Sequence, residues 1–296
     1  MSALENYLSE KASAVEAALK AFLPVPATPS RLHESMAYSL FAGGKRVRPV
    51  LVIAAAEACG ASPERVMPTA CALEMIHTYS LIHDDLPCMD DDDMRRGRPT
   101  NHKVFGETVA LLAGDALLTL AFKLIADNAG VPGVPAGAAA EVAGIVAEAA
   151  GPEGMVGGQA EDCLAEGRTV TLAEVESIHR RKTGALIRAS VLAGAVLAGA
   201  PGNIRKGVED YGEKLGLLFQ VADDILNIEG DADAMGKAAG SDAARGKATY
   251  PAVAGLPAAR ERAVTLLAES RKALAVLGGR GAMLDAMAEF VLRRKN

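Results

Sequence analysis

Six aspartates fall within the ten residues Asp84-Asp85-Leu86-Pro87-Cys88-Met89-Asp90-Asp91-Asp92-Asp93. Carboxylates this crowded repel one another and raise each other's pKa unless something positive lies among them. Such a run reads either as a solvated acidic loop or as a cation site. A second group, Asp223-Asp224-Ile225-Leu226-Asn227, ends the best-patterned apolar stretch of the chain. At about 100° per residue, Gln220, Asp223, Asp224 and Asn227 share one helix face. Hard side-chain oxygens suit Mg²⁺, which keeps several waters and shares its shell with substrate phosphates. Two such groups on separate helices weigh far more than either alone.

Cations accompany them. Gly43-Gly44-Lys45-Arg46-Val47-Arg48-Pro49 combines glycines, which admit a close ligand, with arginines, which fork phosphate oxygens. The same residues also fit an ordinary helix C-cap with a basic last turn. Arg95-Arg96-Gly97-Arg98-Pro99 follows the first acidic run directly, and Arg180-Arg181-Lys182-Thr183, Lys237 and Lys247 supply further charge. His77 lies seven residues before Asp84 and shares its helix face. A lone histidine is more often structural, so His77 gains weight only from its neighbours. Acidic groups for Mg²⁺ beside separate cations for phosphate are what a bound diphosphate requires, and the cations suffice for two.

The elements that must position these groups are helices. Half of the 296 residues are hydrophobic, only 4 % are aromatic and tryptophan is absent, a composition that favours helix over strand. Residues 3–22 have helical spacing. Ser62-Pro63 reads as an N-cap and first helical residue, opening a helix to about Asp85. Thr171 and Glu174 form a capping box, with Val170 and Val175 as a staple. Gly151–Gly158 reads as a break. From Asn203, read as a cap, Ile204, Val208, Tyr211, Leu215, Leu218, Ala222 and Ile225 make a buried stripe to residue 227. Short breaks and no internal repeat argue for one all-α domain over 1–296.

Other classes are disfavoured. A net charge of −6 lacks the basic footprint of a nucleic-acid binder. Cys59, Cys71, Cys88 and Cys163 are widely spaced, which suits reduced thiols in the cytoplasm. The N-terminal stretch carries Glu5 and Glu10 and does not read as a signal peptide. The longest apolar run, Val191 to Ala200, falls short of the roughly 20 residues that span a bilayer, so no membrane span is expected.

Six ordered motifs now stand in the chain: GGKRVRP (43–49), SLIHDDLPCMDDDDMRRGRPTNHKVFGE (80–107), GMVGGQAEDC (154–163), HRRKTGALI (179–187), GLLFQVADDILN (216–227) and RGKATYPA (245–252). Together they resemble trans-isoprenyl diphosphate synthases over nearly the whole chain, most closely the bacterial farnesyl diphosphate synthase branch, with geranylgeranyl diphosphate synthases close behind. The resemblance implies a bundle of ten or more antiparallel helices around a deep cavity, with a homodimeric assembly. It implies isopentenyl diphosphate and an allylic diphosphate (dimethylallyl or geranyl) as substrates, and three Mg²⁺ ions per active site. Asp84 and Asp90, with Asp85 adjacent, match the first metal motif, and Asp223 and Asp224 match the second. Asn227 replaces an aspartate often found there. Gly44, Lys45, Arg48, His77 and Arg96 match isopentenyl diphosphate positions. Arg95, Lys182 and Lys237 match allylic diphosphate positions, Thr183 and Gln220 lie near the reacting carbons, and Lys247 occupies a family lysine position.

The implied reaction is ionisation of the allylic diphosphate, attack by the isopentenyl double bond and proton loss. Tyr79, five residues before Asp84, matches the bulky residue that stops elongation at fifteen carbons, with small Ser80 beside it. The wheel alone puts Ser80 nearer the Asp84 face and leaves Tyr79 equally readable as a core tyrosine. Terpene cyclases share the ionisation but need aromatic walls, which eleven Phe and Tyr supply poorly. A non-catalytic partner subunit would be expected to have lost its aspartates, and a calcium loop lacks its required Gly and Glu.

Overall fold

The computed structural model describes residues 2–23, 30–229 and 247–294. Fourteen α-helices occur among them, against a single strand pairing of two residues on each side. α1 (Ala3–Phe22), α2 (Arg31–Leu40), α3 (Val47–Ala58) and α4 (Pro63–Asp84) lead to the acidic run. Met94–Arg95 pairs antiparallel with Arg98–Pro99, and α5 (Asn101–Phe105) and α6 (Glu107–Asp127) follow. Next come α7 (Ala138–Ala150), α8 (Met155–Ala165) and α9 (Leu172–His179). A π-helical turn, Arg180–Gly184, runs into α10 (Ala185–Leu197), and α11 is Gly202–Glu229. α12 (Tyr250–Ala254), α13 (Leu256–Ala273) and α14 (Ala282–Arg293) close the chain.

Helix starts follow local chemistry. Thr171 and Glu174 make the expected reciprocal cap of α9, with N–H···O distances of 3.3 and 2.7 Å. Val175 is fully buried at the same start, with Val170 packed on the same cluster. Pro63 opens α4 as expected, although Ser62 makes no side-chain cap bond. Two boundaries differ. α11 begins at Gly202, so Asn203 lies inside its first turn and is not the cap. The glycine-rich break is confined to 151–154, because Gly157 and Gly158 belong to α8.

Two apolar clusters fill the interior. One gathers Leu19, Leu73, Ile76, Leu117 and Val142, the other Leu51, Val191, Tyr211, Leu218 and Leu266. α3, nine of whose twelve residues are buried, feeds both: Ile53 and Ala56 face one, Leu51 and Ala55 the other. A helix apolar all round belongs at the centre. α10 is the second shared wall, as its apolar run suggested. Glu107–Gly130, α6 and the turn after it, is long and apolar enough by composition to cross a membrane, with 39 % of that window buried. Periodic polar residues hid it from a reading based on uninterrupted apolar runs. Its inner face (Ala113, Leu117, Ala121) is packed, while Leu111 and Leu112 are exposed.

Candidate active site

α4 carries His77, Tyr79, Ser80 and Asp84 onto the wall of a cavity of about 480 Å³, shared with Arg48 from α3 and with Lys182 and Thr183 from the π-turn. A smaller cavity of about 120 Å³ is lined by Lys182, Gln220, Asp224, Lys247, Asp162 and His179. Lys182 borders both. The two acidic groups, some 140 residues apart in the chain, therefore meet around one lysine.

Burial and the neighbouring carboxylates of Asp90 and Asp85 push Asp84 up to about 6, against the pull of Lys182 and Arg95. The loop after α4 folds back so that the Asp90 N–H donates to Asp84 O at 2.8 Å. Lys247 Nζ lies 3.5 Å from Asp90 Oδ1, reaching from beside the second group to the first. Lys182 Nζ is 2.6 Å from Asp162 Oδ2. Burial works against its charge, but Asp162, Asp84 and Asp90 together raise its pKa. A Cβ at Gly158 would strike the Lys182 backbone, so a glycine there lets α8 bring Asp162 close. Thr183 Oγ1 donates to Gln220 Oε1 at 2.7 Å.

Asp85 is turned away from this centre. It is 3 % exposed and receives the Arg95 guanidinium through Nε at 2.7 and 2.9 Å. Arg95 also lies 3.7 Å from Asp92. On α11, Asp224 accepts the Tyr250 N–H at 2.7 Å and lies 3.4 Å from His179 Nε2. Asp223 instead meets Arg294 at 2.5 Å.

The glycine pair of the basic motif is met by Arg96. The Arg96 guanidinium bonds Gly43 O, and a Cβ at Gly44 would stand 2.7 Å from Arg96 Nη1. Arg96 itself has φ 53°. Lys45 has its pKa lowered by burial and by Arg294 nearby, with Asp223 opposing. Burial, then Arg48 and Arg96, drive His77 well below its ordinary value and keep it neutral. Arg46, from the same motif, is no part of this group: it forms a buried ion pair with Glu74 at 2.6 Å and reaches Glu16 at 2.8 Å. Lys237 lies outside the described residues.

Arg48, His77, Tyr79, Ser80, Asp84, Lys182 and Thr183 thus line the larger cavity, and Lys182, Gln220, Asp224 and Lys247 the smaller one. Gly44 and Lys45 border a separate apolar cavity with Phe219 and Arg294, and Asp85, Arg95 and Arg96 line a hollow beside Tyr38. Asp162, His179 and Arg294 were not singled out from the sequence. Asp162 and His179 sit inside motifs whose other members carried the signal. Arg294 is 71 residues from its partner, and only tertiary folding relates them. Tyr79 is 6 % exposed and packs edge-on against His83, ring centres 5.6 Å apart. Ser80 Oγ donates to His77 O at 2.9 Å.

Comparison with known proteins gives a consistent result. The family described as Polyprenyl synthetase matches residues 29–275. A protein of Geobacillus stearothermophilus named farnesyl diphosphate synthase is 48 % identical over 291 residues, 98 % of each chain. An Arabidopsis thaliana protein named heterodimeric geranylgeranyl pyrophosphate synthase large subunit 1, chloroplastic, is 46 % identical over 98 % of this chain and 79 % of its own. A crystal structure from Zymomonas mobilis, described as an FPP/GFPP synthase in its apo form, aligns with a TM-score of 0.86 at 37 % identity, covering 98 % of both chains.

Proposed function

This chain belongs to the polyprenyl synthetase family, and on that footing we propose that it is a short-chain trans-prenyltransferase making farnesyl diphosphate from isopentenyl diphosphate and dimethylallyl or geranyl diphosphate. The observation that carries the reading is the meeting of both acidic groups at Lys182, beside a cavity of about 480 Å³.

Asp84, Asp90, Asp223 and Asp224 offer hard oxygens to Mg²⁺, three ions per site in this reading. The donor set fits, since Asp84 is destabilised as an anion by burial and by its acidic neighbours, and a cation relieves both. Bound Mg²⁺ supplies charge neutralisation for the departing diphosphate. Lys182 adds fixed positive charge at the same end, where negative charge grows in the transition state, and Lys237, outside the described residues, is proposed to share that role. Arg95, held by Asp85, contributes from the rim. Lys247 links the two acidic groups and positions Asp90.

Lys45, Arg48, Arg96 and neutral His77 hold the diphosphate of isopentenyl diphosphate, with Gly44 admitting it close to the backbone, so that its double bond meets the allylic carbon. Thr183 and Gln220, bonded to each other, face the reacting carbons. The apolar wall protects the allylic cation from water, and the released diphosphate takes the proton. Tyr79 closes the cavity at fifteen carbons, with Ser80 leaving room above it.

Two copies pair through the outer face of α6, in support of which the apolar Leu111 and Leu112 stand 45 % and 50 % exposed. A monomer mass on sedimentation would overturn this pairing. The cytoplasm is the compartment that its free thiols suit. Incubating the purified chain with both five-carbon diphosphates and Mg²⁺, then separating products by chromatography, tests the reaction. No turnover, or full turnover in excess chelator, would refute it.

A further inference from the structure

Asp91, Asp93 and His102 have no role among those assigned above, and each offers one ligand atom within 4.8 Å of the other two. His102 is 6 % exposed. Its Nδ1 is engaged by Thr100 Oγ1 at 3.2 Å, which fixes the ring and leaves Nε2 for any other partner. Nε2 is buried and has no hydrogen-bond partner. A buried polar atom without a partner is destabilising, and none of the catalytic roles above explains it.

We propose that Asp91, Asp93 and His102 form a second cation site that takes a divalent transition ion of the Zn²⁺ class. The donor set selects that class. Mg²⁺ and Ca²⁺ favour shells made of oxygen alone, whereas one imidazole with two carboxylates suits Zn²⁺, the fourth position going to water. Zinc bonds of about 2.0–2.2 Å place tetrahedral ligands about 3.3–3.6 Å apart. Asp91 and Asp93 are exposed, so modest side-chain rotation closes the difference.

The surroundings already have the form of an outer shell. Thr100 orients the imidazole, and its N–H donates to Asp93 O at 3.0 Å. One residue therefore holds both sides of the site, as partners of metal ligands characteristically do. A positive group already visits the position: Lys103 Nζ lies 2.6 Å from Asp93 Oδ1 with 43 % of its side chain exposed. An exposed pair of this kind is weak, so an ion displaces Lys103 into solvent. The bound ion would clip the loop after α4 to α5. Arg95 lies within that clipped segment and Asp90 directly precedes it, so the site steadies catalytic groups that it does not contain.

The test is calorimetric titration of the full chain with Zn²⁺ in saturating Mg²⁺, joined to X-ray absorption at the zinc edge. Wild type should bind one ion more than either His102→Ala or Asp91→Asn, because losing one of three protein ligands abolishes measurable binding at that site. Imidazole scattering should be present in wild type and lost in His102→Ala. Asp91 is exposed at φ 48°, a conformation asparagine tolerates, so Asp91→Asn decides the matter even if His102→Ala folds poorly. Equal stoichiometry in wild type and Asp91→Asn would overturn the site, as would imidazole scattering that persists without His102.

Discussion

Arg294 holds a guanidinium nitrogen 2.5 Å from Asp223 Oδ1 while its carbon sits 3.9 Å from the centre of the Phe219 ring. Arg294, the C-terminal cap of α14, thus neutralises one carboxylate of the second acidic group, and under the proposed reaction an incoming Mg²⁺ would have to displace it. Removing the arginine with Arg294→Ala should lower the Mg²⁺ concentration for half-maximal turnover by a few-fold. A magnesium titration of initial rates reads this directly, and an unchanged or raised requirement would show that Arg294 does not compete.

The two sets of cations should separate kinetically. Arg48→Ala should raise the KM for isopentenyl diphosphate more than it lowers kcat, because that substrate keeps its diphosphate throughout. Lys182→Ala should lower kcat by about a hundredfold or more, since it faces the group whose charge grows. Lys237→Ala should behave like Lys182→Ala. The reverse split between Arg48 and Lys182 would mean that the two diphosphate positions are exchanged.

His179 is buried against α11, and burial depresses its pKa to about 4 from 6.5. The unfolded chain therefore binds this proton below pH 6.5 while the folded chain refuses it until about pH 4. Stability from this residue is complete above pH 6.5 and is lost progressively as pH falls toward 4. At about 1.4 kcal/mol per unit, the loss at pH 5 is about 2 kcal/mol. Urea unfolding of metal-free protein at pH 7 and pH 5 should show this difference shrink in His179→Gln. If both proteins lose equal stability, His179 is not the sensor.

Tyr79 lines the larger cavity one turn and a half below Asp84 on α4. Tyr79→Ala should lengthen the available space and shift the main product to twenty carbons or more, with folding largely retained because the site borders a cavity. Geranylgeranyl diphosphate as the main wild-type product, or an unchanged product in the variant, would remove Tyr79 from the role of stop.

Much of this was legible before folding. The acidic groups, the glycine-flanked cations and the helix that carries Asp223 and Asp224 are local patterns, and local patterns survive into structure. The stripe from Ile204 to Ala222 is buried as its spacing implies. What the sequence could not reveal are pairings between distant segments. Asp85 looks like a third ligand beside Asp84, yet one residue of rotation turns it into Arg95. Arg46 looks equivalent to Arg48, yet it is committed to Glu74 inside the bundle. Asp162 and Lys182 are brought together only because α8 can approach the π-turn at a glycine.

That π-turn, Arg180–Gly184, amounts to one surplus residue within an otherwise continuous helix. Lys182 and Thr183 owe their common direction to it. Deleting any one residue between 180 and 184 would let the backbone relax into an ordinary α-turn, with better hydrogen bonding and a helix that is locally more regular. The same deletion would rotate everything before it by about 100° and shift it about 1.5 Å along the axis. α9 and His179 would then have to give up Asp224, or Lys182 would have to give up Asp162. For this segment, length is therefore a stricter requirement than composition: many substitutions can be accommodated on the outer side of the turn, but no change in its residue count can.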